Sequence, residues 1–149
     1  MLADKKYVSC ANAIIGMPDE NRNLIFDTIK FMRKLPKNID ATGAFIWAPY
    51  HGTPLRDLAI RKGYLKKDVI ASISNTAFSM LDMPTISKEE ISGLARTFSY
   101  YVKFPENRWN EIKVAEQSNP EGNSAHKKLG EEFDQKYRLS EATMLDLHD

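Results

Sequence analysis

An apolar run that stops at Gly-Met-Pro, and a second that follows one helix-patterned stretch, constrain this chain more than any other feature. "YVSCANAII" (Tyr7 to Ile15) is rich in β-branched and small apolar residues. Its nearly continuous apolar character predicts a strand buried on both faces. Gly16-Met17-Pro18 ends it, and Asp19 is the expected cap of the next helix. "ENRNLIFDTIKFMRKL" then places Leu24, Ile25, Thr28, Ile29, Met32 and Leu35 at helical spacing, and Pro36 stops it. "AFIWA" (Ala44 to Ala48) is a second short strand ended by Pro49. Strand, helix, strand, with a crossover of this length, predicts parallel pairing in a right-handed βαβ unit. The fold class is therefore α/β.

After the second strand the pattern turns helical. Thr53 and Pro54 read as N-cap and first position of a short helix that Gly63 ends. A further helix is expected over Lys67 to Met80. "TISKEEISGLARTFSYYVKFP" is the clearest helix. Ser87 and Glu90 suit a capping box, and Ile86 with Ile91 a hydrophobic staple. Ile91, Leu94, Ala95, Phe98 and Val102 share its apolar face, and Pro105 ends it. "ENRWNEIKVAEQ" predicts a short helix with Trp109 and Ile112 inward, "NPEGNS" a break, and "AHKKLGEEFDQKYRL" an amphipathic helix. The last ten residues are expected to form a short helix with a frayed end. Two strands and six or seven helices result. Two parallel strands are not a complete sheet, so the pattern looks like the end of a larger α/β structure.

Charge narrows the function classes. The 149 residues are 42% hydrophobic and 28% charged, with a formal net charge of +1. That balance gives no electrostatic case for nucleic acid or an anionic membrane. No apolar run approaches the roughly 20 residues that cross a bilayer. "MLADKKYVSC" lacks the apolar centre of a signal peptide, which points to the cytoplasm. Cys10 is the only cysteine, so neither an internal disulfide nor a multi-thiolate metal site is available.

"NAIIGMPDENRNLIFDTIKFMRKL" closely resembles the late-barrel segment of radical SAM enzymes. "FIWAPYHGTPLRDLAIRKGYL" resembles the strand and turn that follow it in that family. "LARTFSYYVKFPENRWNEIKVAE" is similar to the helical tail of the cobalamin-domain-associated type. The resemblance covers roughly Val8 to Glu116. It implies the last two strand–helix units of a partial (β/α)6 radical SAM barrel over residues 1–65, then a helical C-terminal extension over residues 66–149. Such enzymes hold a 4Fe–4S cluster through a Cys-x3-Cys-x2-Cys loop. The cluster cleaves S-adenosylmethionine to a 5′-deoxyadenosyl radical. This chain lacks the cysteine motif, the early-strand acidic motif and any cobalamin-binding domain. The resemblance then implies a fragment, the product of a broken gene, or one half of a split enzyme, inactive alone. Its partner would be the missing N-terminal barrel half, supplied by an upstream gene product; cobalamin would be a possible further cofactor.

Carried over by position, the resemblance puts Ile14 against the adenine of S-adenosylmethionine, with Gly16 letting the backbone approach and Pro18 fixing the turn. Glu20 matches the family's Glu, although Asn21 replaces the usual Thr after it. Trp47 and Ala48 would offer backbone groups to the adenine edge, with Pro49 and Tyr50 lining the mouth. Ligands do sit at the C-terminal ends of parallel strands.

Each assignment has a plainer counterpart. Gly16-Met17-Pro18 also reads as strand-to-helix punctuation. Cys10 reads as a small buried hydrophobe. His51 reads as a solvated turn residue, and His126 and His148 as surface residues without metal-ligand spacing. Phe98, Tyr100, Tyr101 and Phe104 read as packing rather than an aromatic ligand box, and Trp109 as an anchor of the tail. Lys127-Lys128 and Glu131-Glu132 read as a solvated helix face. A weaker idea is anion binding at Gly52-Thr53 with Arg56 and Arg61 nearby. The alternative function is a non-catalytic helical interaction module derived from a decayed barrel. In either case open strand edges and exposed apolar faces should promote association.

Overall fold

A computed structural model describes residues 9–36, 39–71 and 78–137. Strand β1 (Ser9–Ile15) leads through a turn into helix α1 (Arg22–Met32) and strand β2 (Ile39–Ile46). Helix α2 (Pro54–Arg61) follows. Helix α3 (Lys88–Lys103), a 3-10 turn (Glu106–Arg108), α4 (Trp109–Ala115) and α5 (Pro120–Lys136) complete the described elements. The molecule is mixed α/β, with a two-stranded parallel sheet and five α-helices among the described residues.

β1 and β2 pair in parallel from Ser9 with Ile39 to Ile15 with Ile46. Ala11 pairs with Ala41 but Asn12 with Gly43, so β2 carries one extra residue, a bulge that bends it. β2 starts five residues earlier than the apolar run suggests and ends two earlier. β1 is not buried on both faces. Ala13 and Ile15 are buried, while Cys10, Asn12 and Ile14 are exposed. Cys10 is therefore an exposed thiol, not a core hydrophobe.

The covered face of the sheet explains the fold. Ala13, Ile15 and Ile46 join Ile91, Leu94 and Phe98 of α3 and Ile25, Ile29 and Met32 of α1 in one core. Ser87 accepts from the Glu90 N–H as the capping box requires, but the Glu90 carboxylate turns to Arg22 instead of back to Ser87. Ile86 and Ile91 are both buried in the same core. Phe26, Tyr101 and Trp109 meet edge to face, with centroids 5.0 to 5.6 Å apart. The aromatic residues of α3 and its C-cap are packing residues: Phe98, Tyr100, Tyr101 and the capping Phe104 are buried.

Cations close the helix ends. Arg33 Nη1 donates to the carbonyls of Tyr101, Val102 and Phe104, where the dipole of α3 is negative. Arg22 forks onto Glu116 at 2.7 and 2.9 Å and reaches Glu90 at 3.1 Å. The Tyr101 hydroxyl donates to the same buried Glu116 carboxylate. Burial and that carboxylate push the Tyr101 phenol well above its ordinary range.

Four local expectations change. The cap of α1 is Asn21, which accepts from the Leu24 N–H, rather than Asp19. "NPEGNS" begins α5 instead of breaking the chain: Asn119 caps it, Pro120 is its first residue, and a side chain on Gly122 would strike the Gln117 carbonyl. Residues 67–71 and 78–80 are not helical, and 72–77 lie outside the described residues, as does the expected C-terminal helix. Glu132 is not simply solvated, because Arg108 Nη1 donates to both its carboxylate oxygens at 2.7 and 2.8 Å and Lys136 joins at 2.7 Å.

Candidate functional site

The C-terminal ends of the two strands lie together. Ile14 and Phe45 are register partners, and their side chains are 53% and 47% exposed on the sheet face opposite α3. The amino-acid pattern does not single out Phe45. Its signal is the alternation Ala44, Phe45, Ile46, which a short continuous apolar run conceals.

Pairing stops just beyond this pair. The Trp47 N–H donates to the Ile15 carbonyl at 2.8 Å, so it is not open to a ligand. The next ladder bond is missing because the Gly16 and Met17 N–H groups donate to the Glu20 carboxylate instead. The Trp47 carbonyl and the Ala48 N–H consequently have no hydrogen-bond partner among the described residues. The Ala48 carbonyl accepts from the Tyr50 N–H at 2.9 Å. Tyr50 is 59% exposed beside them, while Pro49 is buried. These are the two ends of one trans peptide group and point in opposite directions, so a heterocycle edge can meet one of them but not both.

The Gly16 turn is held from three directions. Half-burial pushes the Glu20 carboxyl above its ordinary range, although the two backbone donors favour its charged form. Thr85 Oγ1 donates to the Glu20 carbonyl at 2.6 Å. Asp19, at φ 69°, accepts from Lys62 Nζ at 2.6 Å and from the Tyr64 hydroxyl at 2.9 Å. Lys62 and then Tyr64 hold its carboxyl below the ordinary range. Pro18 is half-buried at the corner of this turn.

Gly16 is present for a reason other than ligand approach. Its φ is +80°, and a Cβ would lie 3.1 Å from Ile91 Cγ2 and 3.5 Å from Ile46 Cγ2. The missing side chain makes room for α3, on the covered side of the sheet. The residues placed at the strand ends are thus Ile14, Trp47, Ala48 and Tyr50; Gly16, Pro18 and Glu20 shape the turn behind them.

The anion idea at Gly52-Thr53 loses one of its two cations, and the other, Arg61, is exposed at the end of α2. Arg56 is buried and donates to the carbonyls of Pro49, Lys67 and Val69. Thr53 Oγ1 donates to the Tyr50 carbonyl rather than capping α2. His51 is exposed in its turn. Among the described residues no cluster of three His, Cys, Asp or Glu side chains could hold a metal ion, and Cys10 stands alone on β1. No described helix is long and apolar enough to cross a membrane.

The strand-end surface is open rather than enclosed. A cavity of about 580 Å³ lies between the Lys62–Tyr64 turn and residues 81–89. Another, of about 610 Å³, lies where the starts of α1 and α3 meet the end of α4. Neither is lined by Ile14, Phe45, Trp47 or Ala48. Comparison with protein-family models, with curated proteins and with solved structures returned no match.

Proposed function

We propose that the β1–β2 unit is the closing pair of strand–helix units of a radical SAM barrel and supplies the adenine-side wall of its S-adenosylmethionine site. The observation that carries the reading is the Ile14–Phe45 pair on the uncovered sheet face, one step below the unpartnered Trp47 carbonyl and Ala48 N–H. The adenine ring would lie on the apolar pair, and its polar edge would meet one of those two backbone groups, which face opposite sides of their shared trans peptide. Apolar walls with a few placed polar atoms are how such ligands are held.

This chain does not fit the iron–sulfur cluster, since one exposed cysteine cannot replace three thiolates. The cluster ligands would come from other barrel strands, on a partner polypeptide or another part of a longer one. Cobalamin enters only through the resemblance of the tail. The contribution of these residues is to bind and orient the nucleoside and to exclude water from it.

The test is co-expression with the product of an adjacent reading frame that carries a Cys-x3-Cys-x2-Cys loop. The expected result is a stable complex with iron–sulfur absorbance that releases 5′-deoxyadenosine on reduction. Phe45→Asp should lower the affinity for S-adenosylmethionine without removing the cluster. A colourless, non-associating mixture, or the absence of such a reading frame in one continuous gene or beside it, contradicts the reading.

A further inference from the structure

The end of the sheet opposite the strand-end surface carries a groove of its own. It has a volume of about 530 Å³ and runs where the C-terminal ends of α1 and α3 meet the start of β2. Its apolar lining is Met32, Leu35, Ile39 and Val102. Met32 and Val102 are buried, and Leu35 and Ile39 are half-buried. Tyr137, the C-cap of α5, lines it as well.

Every charged side chain that lines this groove among the described residues is a cation: Arg33, Lys103 and Lys136. Arg33 is held by the carbonyls at the end of α3, and Lys136 shares the Glu132 carboxylate. Lys103 Nζ meets the Ile39 carbonyl at 3.5 Å and pairs with no carboxylate among the described residues. A half-buried ammonium beside apolar side chains attracts an anionic partner more strongly than one in open water, because the contact is screened less.

The chain itself continues from this place. Residues 138–149 follow Tyr137 and carry Met144, Leu145 and Leu147. They also carry three acids, Glu141, Asp146 and Asp149, against one basic residue, Arg138. We propose that residues 138–149 dock in this groove of their own molecule. Met144, Leu145 and Leu147 meet the apolar lining, and the acids face Lys103 and Lys136. Length permits it: an extended chain gains about 3.3 Å per residue, so Met144 reaches up to roughly 23 Å from Tyr137. A short tether also holds the segment at a local concentration on the order of millimolar, so a contact of modest affinity fills within the molecule before a separate chain competes. The docked segment ties α5 to the ends of α1 and α3. The inference does not rest on the proposed function, because the groove lies at the other end of the strands from Ile14 and Phe45.

A nitroxide spin label on the full chain tests it by NMR. The label goes on His148→Cys in a Cys10→Ser background, since Cys10 is exposed. The amide signals of Leu35, Ile39 and Lys103 should broaden, while those of His51 and Gly52, past the far ends of the strands, should not. Lys103→Glu should strongly reduce that broadening with unchanged circular dichroism. Leu145→Asp, outside the described residues, should do the same and reads the contact should the Lys103 variant lose its fold. Spin-labelled chain mixed with isotopically labelled chain that carries no spin label should show no broadening, since the contact is within one molecule. Broadening spread evenly around Tyr137, broadening that survives either substitution, or broadening in the mixture, which would seat the segment on a second copy, overturns the proposal.

Discussion

Ile14 and Phe45 are neighbours across the parallel ladder, and both present about half of their surface on the face that α3 leaves bare. Their chain neighbours Ile15 and Ile46 are buried beneath α3. Among the described residues the sheet is therefore covered on one face and bare on the other, and the consequences divide accordingly.

Gly16 belongs to the covered face. Gly16→Ala would force a left-handed alanine against Ile91, costing about 2 kcal/mol or more from backbone strain and overpacking together. Urea unfolding measures it. An unchanged midpoint would show that the turn does not need the glycine.

Glu116 ties three helices. It is buried, forked by Arg22 and bonded by Tyr101. Glu116→Gln breaks a buried pair and should cost about 3 kcal/mol. Tyr101→Phe removes one bond to the carboxylate and should cost about 1.5 kcal/mol. Thermal unfolding of the two variants should preserve this order.

Arg56 pins the segment after α2 through three carbonyls. Arg56→Lys keeps the charge and loses the planar fork, so it should fail almost as fully as Arg56→Met. A cost of about 2 kcal/mol is expected. Limited proteolysis should find residues 66–71 cut faster in both variants.

His126 sets a pH dependence. Burial holds its imidazole below the ordinary value near 6.5. Nε2 lies 3.2 Å from the Arg96 carbonyl, and the ring packs 5.2 Å from Tyr100. A depressed folded pKa means the unfolded chain takes the proton first. The contribution is complete above the ordinary value and declines as pH falls from there towards the folded one. Urea midpoints should drop over that interval in the wild type and drop less in His126→Gln.

Punctuation made most elements legible. Pro36, Gly63, Ser87 and Pro105 bound helices that exist, and the strand–helix–strand order with parallel pairing follows from the apolar runs. What failed was local competition. Asp19 and Asn21 could both cap α1, and long-range partners decided it: Asp19 is drawn to Lys62 and Tyr64, more than forty residues on. Asn119-Pro120 is a helix start that resembles a break, because Asn, Pro and Gly serve both. Ile39 and Gly43 extend β2 through a stretch whose polar Asp40 and Thr42 hide the strand. At the site, Ile14, Trp47, Ala48 and Tyr50 share the strand ends. Gly16 proved to be a packing residue, because the direction of a missing Cβ is not written in the sequence.

The most direct test of the adenine wall is an amide and methyl NMR titration of the isotopically labelled chain with 5′-deoxyadenosine. Saturable shifts centred on Ile14, Phe45 and Ala48, abolished by Phe45→Asp, are predicted. A titration that leaves those signals unmoved, or moves only residues remote from the strand ends, contradicts the account.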